Sequence, residues 1–183
     1  MRLYWLFFSV LCSCKPPVST VIFHSDMGKM TVALSRDIPD EASEQLDRFL
    51  AVPSDSLAVE KVLHDGFIQL NFPLSGVKSG NSTFDPALSG AFVLNGSRLY
   101  LVQGRAHTEA SLDRWEKMSG RKISQAAREL YIKKGGALSL EGNSIVLGKL
   151  VSGKEVLDRI TALPSDATGR PLRVVRVRTE AKE

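Results

Sequence analysis

Few side chains in this sequence of 183 residues have both the type and the spacing to do chemistry. The only two cysteines, Cys12 and Cys14, stand close together near the start. The three histidines, His24, His64 and His107, are scattered, and none sits in metal-ligand spacing with a cysteine or a carboxylate, so no metal is expected. A nucleophile elbow, a phosphate-cradling loop and a dinucleotide fingerprint are also missing, and no cofactor is expected. The candidate site then falls to a loop. After "HDGFIQLNF" comes "PLSGVKSGNSTFDPALSG", rich in Gly, Ser and Pro, a composition that on a rigid scaffold often carries function.

The start of the chain has a chemistry of a different kind. "MRLYWLFFSVLCSCKPP" places Arg2 before an apolar run from Leu3 to Leu11, then small residues around the cysteines. A helix needs about 20 apolar residues to cross a bilayer, so this run reads as a secretory leader and not as an anchor. Leu11-Cys12-Ser13-Cys14 resembles the bacterial lipobox, which implies cleavage before Cys14 and acylation of its sulfur and new amine. Residues 14–19 would then be a tether, and 20–183 a domain without a disulfide, held by packing alone. An ordinary secretory N-terminus is the alternative reading.

The remaining composition suits one compact domain. A hydrophobic content of 43% supports a substantial core. The net charge of +4, from 24 basic and 20 acidic residues, comes with no long basic run, which argues against nucleic-acid binding.

The elements that must position a site alternate between two periods. "TVIFHSDMGKMTVALS" reads as a hairpin around Asp26-Met27-Gly28-Lys29. "PDEASEQLDRFLAV" opens with helix-start residues and puts Ala42, Leu46, Phe49 and Leu50 on one helical face. A short strand is expected over Phe67–Phe72, and "GAFVLNGSRLYLVQGR" reads as two strands around Asn95-Gly96. Two helices follow, one opened by Thr108 with Leu112, Trp115 and Met118 inward, and one capped by Ser124 with Ala127, Leu130 and Tyr131 inward. "SIVLGKLV" is a strand interrupted by Gly148; Ser152 is the expected cap of a helix carrying Val156, Leu157 and Ile160. A last strand is expected to alternate Leu172, Val174, Val175 and Val177 with arginines. Strands enclosing a core with helices set apart argue for a barrel or sandwich with caps.

"VIFHSDMGKMTVAL", "HDGFIQLNF", "GSRLYLVQGRAHTEASLD" and "YIKKGGALSLEGNSIVLGKLVSGKEVLDRITALPSDATGRPLRVVRV" together, in this order, resemble the cyclophilin-type peptidyl-prolyl isomerases, in a bacterial form with an added helical segment at about 108–134. The resemblance implies a mainly β fold, an eight-stranded antiparallel barrel capped by helices, with a prolyl-binding groove on its outer face. It also implies proline-containing polypeptides as clients, action as a monomer, and no cofactor. Such enzymes use an apolar pocket for the proline ring, a guanidinium aimed at the amide nitrogen, and groups that hold the carbonyl.

The groove residues depart from that pattern. Alignment through "HDGFIQLNF" puts Asn71 where the family has its Arg, and Gly76 and Ser79 where it has a Phe and a Gln. Arg98 replaces a Gln, Tyr100 keeps an aromatic ring, Ser139 replaces a Trp or His, Leu140 keeps an apolar contact, Ser144 replaces a His, and Leu147 replaces a Phe. Losing a charged transition-state donor commonly costs about 100- to 1000-fold. Two expectations follow: an isomerase of weakened activity on cell-envelope proteins, with Arg98 either a solvated charge or the replacement guanidinium, or a non-catalytic module that holds a partner.

Overall fold

A computed structural model describes residues 19–51, 57–72, 86–142 and 144–182. In chain order the elements are β1 (Thr20–Ser25), β2 (Gly28–Leu34), α1 (Asp40–Leu50), β3 (Leu57–Leu63), β4 (Phe67–Leu70), β5 (Ala91–Asn95), β6 (Arg98–Val102), α2 (Glu109–Ser119), α3 (Gln125–Lys134), a 3-10 turn (Leu138–Leu140), β7 (Ser144–Ser152), α4 (Lys154–Thr161) and β8 (Arg176–Lys182). The strands close into a barrel in the order β1-β2-β7-β5-β6-β4-β3-β8, every pair antiparallel. Closure removes every sheet edge, which leaves no unpaired ladder for another chain to join.

Alternation along the strands sorts the side chains into two sets. Val21, Phe23, Met30, Val32, Ile68, Leu70, Phe92, Leu94, Leu99 and Leu101 point inward and form the barrel core with α1 and α4. Its centre is aromatic: Phe23 meets Phe92 edge-on at 5.4 Å, and Phe49 of α1 meets Phe72 edge-on at 5.1 Å. The outward set on β4, β5 and β6, namely Phe67, Ala91, Val93, Tyr100 and Val102, is also buried, and packs with Ala87, Ala137 and Leu140. This side of the barrel therefore carries a second apolar layer, and the candidate residues Tyr100 and Leu140 lie in it.

Several local expectations change. Between α1 and residue 72 the sequence reading had one strand, Phe67–Phe72; the barrel has two, because β3 also forms and pairs with β4 through the His64–Gly66 turn. Ser152 does not cap α4. It ends β7, and Gly153, at φ 86°, starts the helix where a Cβ would fall 2.8 Å from Met30 Cα. Gly148 is the close-passing residue that its interruption of the strand suggested, since a Cβ there would sit 3.0 Å from Leu34 Cα on the neighbouring strand. The last strand begins only at Arg176, and Leu172 and Val174 are exposed while Val175 and Val177 are buried. Met118 also leaves the face assigned to it and is 81% exposed.

The hairpin of α2 and α3 stands outside the barrel. Thr108 and Ser111 form a reciprocal capping box, and Ser124 caps α3 through the Ala127 amide. Leu112, Ile123, Tyr131 and Leu138 are its small apolar centre.

Candidate functional site

The outer face of β3, β4 and β6 assembles a row of polar side chains beside an aromatic floor. Phe67 and Tyr100 meet edge-on with ring centroids 4.9 Å apart. Antiparallel register sets Gln69 directly opposite Tyr100, and Arg98 lies two residues from Tyr100 on the same face. Gln69 Nε2 donates to Glu60 Oε2 at 2.5 Å, and Arg98 Nη1 lies 3.5 Å from Gln69 Oε1. Gln69, itself 2% exposed, thus bridges an exposed carboxylate and an exposed guanidinium. Burial pushes the Tyr100 hydroxyl above its ordinary value, and the neighbouring Arg98 charge and hydrogen bond pull partly back.

The residues singled out in the sequence are brought together only in part. Tyr100 and Leu140 share the outer apolar cluster with Phe67. Ser139 is exposed next to Leu140. Ser144 is buried and engaged: its hydroxyl donates to the Leu140 carbonyl at 2.6 Å and meets Asn95 Nδ2 at 3.1 Å. That clasp fixes the 3-10 turn against the β5–β6 hairpin. Leu147 is drawn away from the groove: Phe92 opposes Gly148 and Val93 opposes Val146, so Leu147 is the extra residue of a bulge and packs inside the barrel. Gly76, Ser79 and Cys14 lie outside the described residues.

Asn71 does not stand within a strand. It follows the last residue of β4, its carboxamide oxygen accepts from the Ala58 amide, and its own amide donates to the Ala58 carbonyl at 3.0 Å. Its side chain therefore extends the β3–β4 ladder. The polar partners the sequence reading missed are Glu60 and Gln69, with Phe67 as the missed ring. The signal was present in "LAVEKVLHDGFIQL", where Leu57 and Val59 alternate inward, a register shift after Val59 brings Val62 to the same side, and the histidine, aspartate and glycine make the turn. Among the described residues no three His, Cys, Asp or Glu side chains come close enough to share a metal ion.

Barrel, helical caps and outer aromatic floor define a cyclophilin-like fold. No protein-family model matches the sequence, and no curated protein matches it either. Among solved structures, a cyclophilin type peptidyl-prolyl cis-trans isomerase of Cryptosporidium parvum superposes with a TM-score of 0.61 at 12% identity, over 91% of this chain and 99% of that one. A structure of the Cryptosporidium parvum enzyme in the presence of the dipeptide Ala-Pro gives 0.60, again at 12% identity, over 90% and 99%. At that identity the likeness is one of fold.

Proposed function

We propose that the protein is a peptidyl-prolyl cis-trans isomerase of reduced activity that works on proline-containing segments of cell-envelope proteins. The observation that carries this reading is the placement of Arg98 beside the Phe67–Tyr100 floor on the outer barrel face. Rotation about an X-Pro bond crosses a barrier of about 18–20 kcal/mol because the amide loses its resonance. A catalyst must hold the twisted amide better than either planar form. As the bond twists, the proline nitrogen becomes pyramidal and gains a lone pair, which a guanidinium stabilises. Phe67 and Tyr100, both nearly buried, back the proline site with apolar surface, Arg98 is the cation, and Gln69 supplies an amide that holds the guanidinium in place.

On this reading Glu60 is what lowers the activity. Its carboxylate belongs to the same hydrogen-bonded row, so it lowers the positive potential that Arg98 presents to the amide nitrogen. The same observation favours a second reading, a module that holds proline-containing chains without turning them over. The Ala-Pro dipeptide named with the Cryptosporidium parvum structure is compatible with either.

A protease-coupled isomerisation assay decides between the two. Measurable catalysis that falls by about 100-fold in Arg98→Ala is the expected result for loss of a transition-state donor. Equal rates for Arg98→Ala and the parent would remove Arg98 from the mechanism; no catalysis with peptide binding retained would leave the holding module.

The lipobox-like Leu11–Cys14 segment supports a location in the cell envelope, with the domain tethered through lipid on Cys14. Mass analysis of the membrane fraction should show Cys14 as the first residue, carrying diacylglycerol. A cytosolic chain that retains residues 1–13 would overturn this.

A further inference from the structure

Between the helical hairpin and the β3–β4 turn lies a cleft of about 680 Å³ that the isomerase chemistry leaves unused. One wall is α2, the other is the His64–Gly66 turn, and the floor runs from Gly136 to Ser139. The cleft opens directly beside the aromatic floor, because Gly66 precedes Phe67, Ala137 packs in one cluster with Phe67 and Tyr100, and Ser139 precedes Leu140. Phe67 and Tyr100, which back the proposed prolyl site, are thus joined to the cleft through Gly66 and Ala137.

The two faces of α2 differ in what they do. Leu112 and Glu116 are buried and hold the hairpin together. Arg114 and Met118 turn to the cleft instead, Trp115 lines it while packing half-buried against the hairpin's apolar centre, and Met118, 81% exposed, presents a large apolar side chain there. Arg114 is joined by Arg105 across the cleft, both exposed. Of the carboxylates nearby, Glu109 and Asp113 pair with Arg128, and Asp65, on the turn that walls the cleft, lies 3.3 Å from the His64 imidazole. Among the described residues, Arg105 and Arg114 are therefore cations without a carboxylate partner, next to exposed apolar surface.

We propose that this cleft is a second subsite for the same client, and that it takes an acidic segment flanking the X-Pro bond. Carboxylates of the client meet Arg105 and Arg114, and an apolar side chain of the client covers Trp115 and Met118. This rests on the outer face being a prolyl site, and it adds a preference in sequence that the Phe67–Tyr100 floor alone cannot supply.

The test is the binding of labelled peptides to the full chain at low salt. Three carry an Ala-Pro core flanked by glutamates, glutamines or lysines, and a fourth is glutamate-flanked with the proline replaced by alanine. Two exposed ion pairs predict that the glutamate peptide binds about tenfold more tightly than the glutamine peptide. That ratio should fall to near one in the Arg105→Gln, Arg114→Gln double variant and reverse in favour of lysine in Arg105→Glu, Arg114→Glu, a rescue that an unfolded variant would not show. Equal binding of the glutamate and glutamine peptides, or no binding of the glutamate peptide, overturns the proposal. If the alanine-substituted acidic peptide binds as well as its proline counterpart, the acidic subsite stands and the prolyl reading falls instead.

Discussion

The inside of the barrel and the helical hairpin beside it are held by different physics. The barrel core is one large apolar cluster, from Phe23 and Phe92 at its centre to Val156 and Ile160 of α4 at its margin. Burial of this kind is non-directional and insensitive to pH. Among the described residues the hairpin's apolar centre has only four buried side chains, one of them, Leu138, from the 3-10 turn. Its order comes from polar contacts: Arg128 clasps Glu109 and Asp113 and approaches Glu116, whose carboxylate also accepts from the Ile123 amide at 2.8 Å. Tyr131 ties the hairpin to the barrel by accepting from the Ala87 amide and donating to Glu141. The region that lines the cleft thus leans on titratable side chains, whereas the inside of the barrel does not.

Truncation in the core should have the largest effect. Phe92 is fully buried and packs on both Phe23 and Phe49. Phe92→Ala should cost about 3–5 kcal/mol of unfolding free energy, measured by denaturant titration, with loss of barrel and hairpin together. Loss of hairpin structure alone would mean that the two regions are less dependent on each other than the shared strands imply.

Tyr131→Phe should come next. It removes one hydroxyl and leaves the buried Ala87 amide and the half-buried Glu141 carboxylate without this partner. The expected cost is about 1–3 kcal/mol. Hydrogen exchange should locate the loss in α3 and the 3-10 turn and leave the β1–β2 hairpin protected.

Acid separates the regions without a mutation. Glu116 is held below the ordinary carboxylate value, first by the Ile123 amide and then by Lys122, so its contribution is complete above that value and is lost as pH falls through the lowered one. Glu141 works in the opposite sense. Burial pushes it up, so it favours the folded state below the ordinary value and that contribution is lost as pH rises through the raised one. As pH falls below about 4, protection of the Arg128–Glu116 side of the hairpin should decline before that of the barrel. Glu141→Gln should raise stability near neutrality, where the parent carries a half-buried charge. Simultaneous loss of hairpin and barrel protection in acid would refute the division.

Much of the scaffold was legible in the chain because its signals are local. The turn at Asp26-Met27, the hairpin at Asn95-Gly96, the cap at Thr108 and the close pass at Gly148 each follow from residue type at one place. The site was less legible because it depends on register. On β4, β5 and β6 both faces are buried, so "FIQL", "AFVLN" and "RLYLV" do not show in sequence which side chains look outward. The bulge that turns Leu147 inward adds one residue to the count and leaves no mark in composition. The alternation of "LAVEKVL" was readable, but without the barrel order nothing tied Glu60 to Gln69, or Gln69 to Arg98.

The smallest expected effect tests that register most directly. Sequence alignment alone places the family's guanidinium at Asn71, and on that view Asn71→Arg should restore catalysis. The structure has the Asn71 side chain accepting from the Ala58 amide at the open end of β4, exposed. Arginine there loses one ladder-extending hydrogen bond, worth about 0.5–1.5 kcal/mol, and adds a charge in solvent. The melting temperature should drop by about 1–6 °C, and the isomerisation rate should stay within about twofold of the parent. A large gain from Asn71→Arg, together with no loss from Arg98→Ala, would move the cation from β6 to the end of β4 and reinstate the alignment.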